Sequence, residues 1–372
     1  DTTIASGAIA IPQGVTCPMP LLSYQHGTTA QRYEIPSYRG GSEYKIGVIG
    51  CATSGSIVSM PDYLGLGDNM GMHPYINART EASASIDLLR ACRELKDSLG
   101  YDLNDQLFLF GYSQGGHATM ALFKELETNL SGEFTVTAAA PMSGPYNVSG
   151  IQAQTIITDT AIASPGYLPY VVICQQAAYG NIYNNQTEIF KSPYDNLLPS
   201  YFDGTHSMGW INDRLPDTPN LMLDSAYFHN FSTDPNHFGW NMLRDNDVHD
   251  WAPRAPLKMY YCTGDEQVFY QNSLIAEDSM MARGATDVEA VNIWSFNHTD
   301  CAPFAFLYGL SFMELYMDHT GGMQVSDVVT DVSSSGATDG SIALNISNAP
   351  GPYRLEQWRY HGDHFWSTHR DL

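Results

Sequence analysis

The chain has few basic residues. Its 372 residues include 17 lysines and arginines against 40 aspartates and glutamates, which gives a formal net charge of −23. A surface this negative repels phosphate backbones, so we expect no nucleic-acid partner. It also disfavours docking on anionic membranes. We interpret the acidic excess as a contribution to solubility.

Long apolar runs are also missing. The longest candidate, Ala305 to Met317, is interrupted by Glu314 and predicts a packed helix, so we expect no integral membrane segment. The chain opens at Asp1 without a basic stretch followed by an apolar one. We therefore expect that any signal peptide has already been removed.

The sequence has no Cys-x-x-Cys pair, although it contains six cysteines. Their wide spacing does not indicate a zinc site. An even number of cysteines fits disulfides in an exported protein, and it also fits a set of free thiols. We favour export, which predicts a secreted, cell-surface or periplasmic protein.

Apolar residues are plentiful: 43% of the chain is hydrophobic and 12% is aromatic, enough for a sizeable core. Short β-type runs alternate with helical stretches, as in a mostly parallel sheet covered by helices. A helix is predicted from Ala82 to Leu99, and another follows Gly111. The predicted strands lie in "PLLSYQHG", "SIVSMPDY", "LFLF", "TVTAAAPMSG", "LKMYYCTGDEQV" and "VEAVNIWSFNHTD".

The βα order is interrupted once. Residues 148–251 are rich in Asn, Tyr, Phe, Met and Pro and lack strong alternation, so we predict a cap inserted into a core formed by residues 1–147 and 252–320. Residues 321–372 predict a β-type C-terminal appendage. The histidines of this appendage (His361, His364 and His369) are close in sequence but lack matching carboxylate or cysteine partners, so we assign no metal site.

One motif points to chemistry. In "FLFGYSQGGHATM", Ser113 follows a buried strand and precedes a helix, and Gly111, Gly115 and Gly116 supply the small neighbours that a sharp turn requires. Such a turn exposes the serine hydroxyl and places the backbone N–H of Gln114 at a helix N-terminus, where negative charge is favoured. We therefore predict that Ser113 is a nucleophile.

An acid and a histidine should follow the serine in that order, at the ends of later strands. Asp265 ends the strand in "YYCTGDEQV", and His298 follows the strand in "VNIWSFNHTD". Both lie just past apolar runs, where loops would carry them to the edge of the sheet that holds Ser113. The alternatives are less well placed, namely Glu266 and Asp278 for the acid, and His26 and His117 for the base.

A second backbone donor for an oxyanion should come from the loop after an early strand. The segment "SYQHGTTA" fits this position, and we predict that the N–H of Thr28, or of Thr29, acts together with that of Gln114. His26 is expected to orient the loop.

Five stretches in this order, "HGTT", "MPDYLGLGD", "GYSQGG", "GDEQV" and "NHTDCAPFA", resemble the α/β-hydrolase fold and, within it, the secretory lipase-like esterases. The similarity covers about Thr3 to Met317. It implies hydrolysis of a small-molecule or lipid-like ester by Ser113, His298 and Asp265, an oxyanion hole at Gln114 and Thr28, and a cap that bears the acyl pocket. This chemistry needs no metal or organic cofactor.

Three alternatives remain open: a peptidase of the prolyl-oligopeptidase kind, a feruloyl or acetyl esterase acting on polysaccharide, and a non-catalytic binding module. The oligomeric state is not predicted. Cys262 and Cys301 lie near Asp265 and His298 in the sequence, so they form either a disulfide that braces these loops or a buried pair of free thiols.

Overall fold

The computed structural model describes residues 3–318, apart from 14 and 16, together with four strands further along the chain. Strands β1–β7 form one seven-stranded sheet in the order β1-β3-β2-β4-β5-β6-β7. Only β1 runs antiparallel to its neighbour within this sheet. The strands are β1 (Gly7–Ala10), β2 (Met19–Gln25), β3 (Ile57–Pro61), β4 (Leu103–Tyr112), β5 (Ala138–Met142), β6 (Leu257–Cys262) and β7 (Val288–Trp294).

The α-helices lie between the strands from β2 onwards and after β7. In chain order they are α1 (Glu43–Ser54), α2 (Ala78–Leu99), α3 (Gln114–Thr128), α4 (Ala153–Ile156), α5 (Tyr167–Tyr179), α6 (Tyr194–Tyr201), α7 (Met208–Asn212), α8 (Ser225–Thr233), α9 (Phe238–Asp245), α10 (Gln271–Ala282) and α11 (His298–Glu314). Each predicted strand and helix is present, and the mostly parallel sheet confirms the predicted fold class.

The central strands are buried on both faces because helices cover both sides. Alternate residues of β4 enter different clusters: Leu107 and Leu109 pack with residues of α2, α3 and α10, whereas Phe108 and Phe110 pack with residues of α1 and α11. This arrangement explains why "LFLF" is a continuous apolar run, since no side of the strand faces water. The carboxyl ends of the parallel strands meet at one edge, and the candidate site lies there.

The segment between β5 and β6 is largely helical and contains α4–α9. It has its own apolar cluster, which includes Leu168, Ile173 and Leu198, and Tyr75 and Ile76 from the loop before α2 join it. Buried polar bonds hold the two parts together, since the Gln175 amide donates to the backbone carbonyls of Tyr75 and Ile76 at 2.9 and 2.8 Å. The segment between β5 and β6 thus forms a helical layer that packs against the loop before α2.

Beyond α11 the described residues form β8 (Gln324–Thr330), β9 (Ser341–Ser347), β10 (Arg354–His361) and β11 (His364–Asp371). β8 pairs with β9 and β10 pairs with β11, both antiparallel. The segments between these strands, and the histidine side chains of the predicted appendage, lie outside the described residues. Within the described part of the chain, no helix is long and apolar enough to cross a membrane.

Candidate active site

Ser113 occupies the sharp turn between β4 and α3. Its φ of 61° lies in the left-handed region, which a non-glycine residue adopts only when the surroundings hold it there. The turn leaves no room for side chains beside it, because a Cβ on Gly115 would lie 2.1 Å from the Gln25 carbonyl oxygen and one on Gly111 would lie 2.5 Å from the Gly115 oxygen. Gly111 and Gly115 are thus required because the backbones of β2 and α3 leave no space for a Cβ atom at either position.

His298 and Asp265 meet at this turn. The Nε2 atom of His298 lies 2.8 Å from Ser113 Oγ, and its Nδ1 atom lies 2.7 Å from Asp265 Oδ2. The other oxygen of Asp265 accepts the backbone N–H groups of Gln267 and Val268 at 3.0 and 2.8 Å. The side chains of Ser113, His298 and Asp265 therefore form one hydrogen-bonded chain. Both oxygens of the Asp265 carboxylate accept hydrogen bonds.

His298 lies in the first turn of α11, rather than in a loop as expected from its place after the last strand. Its backbone N–H donates to Glu266 Oε2 at 3.0 Å. Partial burial raises the pKa of Glu266, but hydrogen bonds from backbone N–H groups, first that of His298, bring it below its ordinary value. Glu266 thus contacts the backbone of His298, not its ring. Asp278 is exposed on α10.

Two further features fix His298. The Tyr112 hydroxyl donates to the His298 carbonyl at 2.7 Å, and the two rings lie 4.9 Å apart. A disulfide joins Cys262, at the end of β6, to Cys301 in the next turn of α11. This disulfide confirms the first of the two alternatives for these cysteines. The remaining cysteines whose side chains the structure describes are free, namely Cys17, Cys92 and Cys174.

The loop after β2 lies against the start of α3. A Cβ on Gly115 would also approach the His26 carbonyl oxygen, at 2.9 Å. His26 itself contacts the Gly27 and Asp62 carbonyls through its two ring nitrogens, at 2.8 and 3.2 Å, so it is engaged in holding the loop. The Thr28 hydroxyl lies 3.2 Å from that of Tyr75, a residue that lines the same cavity as Gln114.

A cavity opens beside Ser113 and Gln114. Its other lining residues are Tyr75, Ile76, Pro145, Val148, Gln152, Ala153, Ile156, Ile157, Tyr167, Leu168, Val171, Leu243 and Val268. Most of these side chains are apolar, and most belong to the helical segment between β5 and β6. The cavity can therefore accept an apolar group attached to a carbonyl carbon at Ser113.

Sequence reasoning missed a second buried group of side chains next to Ser113. The members are His73, Glu81 and the Gln114 side chain, and they are joined by His117, which we had considered only as an alternative base. The sequence carried no signal for this group, because Glu81 lay just before the helix predicted from Ala82, and its burial is seen only in the structure. Among the side chains that the structure describes, no three His, Cys, Asp or Glu residues converge as a metal site.

The parallel sheet, the strand–turn–helix that carries Ser113 and the late histidine define the class of protein: this is an α/β-hydrolase. The sequence profile of the secretory lipase family matches residues 44–161. The rice cell wall degrading esterase LipA from Xanthomonas oryzae is 32% identical, with 84% of each chain covered and a TM-score of 0.72.

A hydrolase candidate from Legionella pneumophila is also 32% identical, with 84% of each chain covered and a TM-score of 0.78. Candida antarctica lipase A in its closed state shares the fold at 16% identity, covering 84% of this chain and 73% of that one, with a TM-score of 0.67. A comparison with curated protein sequences gives no match. The chain belongs to the secretory lipase family of α/β-hydrolases and is a carboxylic ester hydrolase, as the resemblance implied.

Proposed function

We propose that the protein is a secreted serine esterase or lipase with Ser113 as nucleophile, His298 as general base and Asp265 as the acid that orients it. The observation that carries this proposal is the position of the His298 ring, 2.8 Å from Ser113 Oγ and 2.7 Å from Asp265 Oδ2. A carboxylate at Nδ1 keeps the proton on that nitrogen. It leaves the lone pair of Nε2 free to take the serine proton.

The reaction has two matching halves. Ser113 Oγ attacks the ester carbonyl while His298 takes its proton, and the tetrahedral intermediate collapses as His298 returns the proton to the departing alcohol. Water then attacks the acyl-enzyme with His298 again as base, which releases the acid and restores Ser113. Asp265 stabilises the imidazolium that forms in each half.

The negative oxygen of each intermediate needs donors. We assign this role to the backbone N–H groups of Gln114 and Thr28, and each such donor typically contributes about 2.7–4 kcal/mol. The position of Gln114 at the start of α3 supports its role, because the helix dipole favours negative charge there. The contact of Gly115 with the segment that contains His26 supports a donor from the neighbouring loop.

We assign residues 148–251 to a cap that binds the acyl group. The apolar lining of the cavity beside Ser113 supports this assignment, because Ala153, Ile157 and Val171 come from that segment. The substrate class is then an ester with an apolar acyl group. The similarity to LipA, described as a rice cell wall degrading esterase, favours polysaccharide-linked esters as the second candidate.

Export is the remaining part of the proposal. It is supported by the match to the secretory lipase family and by the disulfide between Cys262 and Cys301, since disulfides persist in oxidising compartments.

The test is hydrolysis of p-nitrophenyl esters from acetate to palmitate by the wild type, Ser113→Ala and Ala153→Phe. We expect no turnover by Ser113→Ala. We expect Ala153→Phe to keep its activity on acetate and to lose the longest esters that the wild type accepts, because a ring at this position fills part of the cavity. Full activity of Ser113→Ala would refute the assigned nucleophile. An unchanged chain-length profile of Ala153→Phe would refute the assigned acyl pocket.

A further inference from the structure

Behind Ser113 lies a buried polar chain that the reaction described above does not use. The Gln114 side chain is 1% exposed, and its Nε2 atom lies 2.9 Å from Glu81 Oε1 and 2.7 Å from His73 Nε2. An amide nitrogen has two protons, and both find an acceptor here. The side chain of the residue that follows the serine is therefore fixed at two points.

His73 provides a neutral acceptor. Its Nδ1 atom lies 2.9 Å from the Leu64 carbonyl oxygen, so Nδ1 carries the proton and Nε2 presents a lone pair to Gln114. Burial lowers the pKa of His73 to about 4, which keeps the ring neutral near pH 7. The ring also stacks on Tyr63, with 5.7 Å between centroids, and this contact limits its rotation.

Glu81 and His117 form a fully buried ion pair. His117 Nδ1 lies 2.7 Å from Glu81 Oε2, and His117 Nε2 lies 2.9 Å from the Asn246 carbonyl oxygen. Both ring nitrogens of His117 face acceptors, an arrangement that suits the protonated imidazolium form. Burial lowers the pKa of His117, but the charge of Glu81 and its hydrogen bond outweigh this effect and raise the pKa.

A buried ion pair of this kind is a weak source of stability, because desolvation of both charges offsets their attraction. Its orientation is more informative. Each oxygen of Glu81 accepts one donor, Gln114 on one side and His117 on the other, so the carboxylate has a single arrangement. The Gln114 Nε2 atom is thereby held between two fixed acceptors, Glu81 Oε1 and His73 Nε2.

We propose that Glu81 is a positioning residue for the reaction: through the Gln114 side chain it holds the Gln114 peptide N–H in place as an oxyanion donor. This inference rests on the proposed function, in which Ser113 is the nucleophile. His117 supplies the neutralising charge. An unpaired carboxylate so close to the oxyanion site would oppose the negative charge that develops there, whereas the pair is neutral as a whole.

The test compares Glu81→Met, Glu81→Gln, Gln114→Met and the double variant Glu81→Met/Gln114→Met. Methionine keeps the length of each side chain and removes its hydrogen bonds. Glutamine at position 81 keeps an acceptor for Gln114 and can donate to a neutral His117, so it should restore the contact. Leu126→Ala, buried further along α3, is the control for loss of stability alone.

The measurements are kcat and KM for p-nitrophenyl butyrate and the affinity for an alkylboronic acid, which forms a tetrahedral adduct with the catalytic serine. We expect Glu81→Met and Gln114→Met each to lower kcat about tenfold to hundredfold, because a misplaced oxyanion donor costs this much. KM should stay within about twofold, and boronate affinity should fall with kcat. Glu81→Gln should stay close to the wild type.

The double variant decides whether Glu81 acts through Gln114. If it does, Glu81→Met has no further effect on kcat in the Gln114→Met background. The inference is overturned if the two effects multiply, if Glu81→Gln is as impaired as Glu81→Met, or if Gln114→Met is no slower than Leu126→Ala. Should Glu81→Met fail to fold, Glu81→Asp replaces it in the single and double comparisons, because the shorter side chain keeps the charge but withdraws the carboxylate from Gln114.

Labelling of Ser113 by a fluorophosphonate separates this inference from the proposed function. An unlabelled wild-type serine would remove the proposed nucleophile, and the inference with it. A labelled, active wild type with unimpaired Gln114→Met and Glu81→Met would overturn the positioning role alone.

Discussion

The disulfide between Cys262 and Cys301 should contribute a measurable share of the stability of the folded chain. It closes a loop with a sequence separation of 39 residues, and it ties the end of β6 to the first turns of α11. Asp265 and His298 lie on the two segments that it joins. We therefore expect its removal to reduce stability first, and to loosen the contact between these two side chains.

The size of the effect follows from the loop. A cross-link removes chain entropy from the unfolded state by roughly 2.1 + 1.5R ln n cal/mol/K, which for a separation of 39 is about 4 kcal/mol at 25 °C. Replacement by alanine also loses the packing of two buried sulfur atoms, about 1 kcal/mol each. The double variant Cys262→Ala/Cys301→Ala should thus lose about 6 kcal/mol of unfolding free energy.

The assay is equilibrium unfolding in urea, followed by tryptophan fluorescence and circular dichroism under non-reducing conditions. Cys92→Ala is the matched control, because Cys92 is equally buried and has a free thiol. A double variant that loses no more than twice the free energy lost by Cys92→Ala would refute the cross-link argument. Wild-type protein unfolded with reductant should lose about 4 kcal/mol without the packing cost.

Two further predictions concern the site and its surroundings. Asp265→Asn should lower kcat for p-nitrophenyl butyrate by about 10⁴-fold with little change in KM, because an amide favours the wrong tautomer of His298. A loss of kcat below about tenfold would contradict the role assigned to Asp265. His73 has a pKa of about 4 when folded, below its ordinary 6.5, so the stability that depends on its neutral form is present above pH 6.5 and is lost as the pH falls towards 4. The unfolding free energy should fall by about 3 kcal/mol over this range. In His73→Phe this pH-dependent loss should be absent, which urea unfolding of both proteins at pH 7, 5.5 and 4 would measure. Parallel pH profiles of the two proteins would contradict the argument.

Much of the fold could be predicted from the sequence because its signals are local. The continuous apolar run at Leu107–Phe110 indicates a strand covered on both faces, and the glycines around Ser113 indicate a turn with no space for side chains. The predicted strands and the strand–turn–helix that carries Ser113 are of this kind. They can be predicted because the backbone conformation and the burial pattern of a segment depend mainly on residues close to it in the chain.

Other features depend on contacts between distant parts of the chain. Sequence position alone favoured Asp265 over Glu266, and the structure places Asp265 against the His298 ring and Glu266 against the His298 backbone. The pairing of Cys262 with Cys301 was open because it depends on the distance between two loops. The apolar cavity was expected only as a property of the cap, without any of its lining residues.

The sequence by itself therefore determined the order of elements, the turn that carries Ser113 and the residues that follow the later strands. Only the tertiary structure decided that Glu81 of α2 meets Gln114 of α3, and that His117 lies against the other oxygen of the Glu81 carboxylate. A buried charge has no periodic or local signature, because its partner is set by how α2 and α3 pack against each other on one face of the sheet. Tertiary packing likewise brings Ser113, His298 and Asp265 from three strand ends to within hydrogen-bond distance of one another.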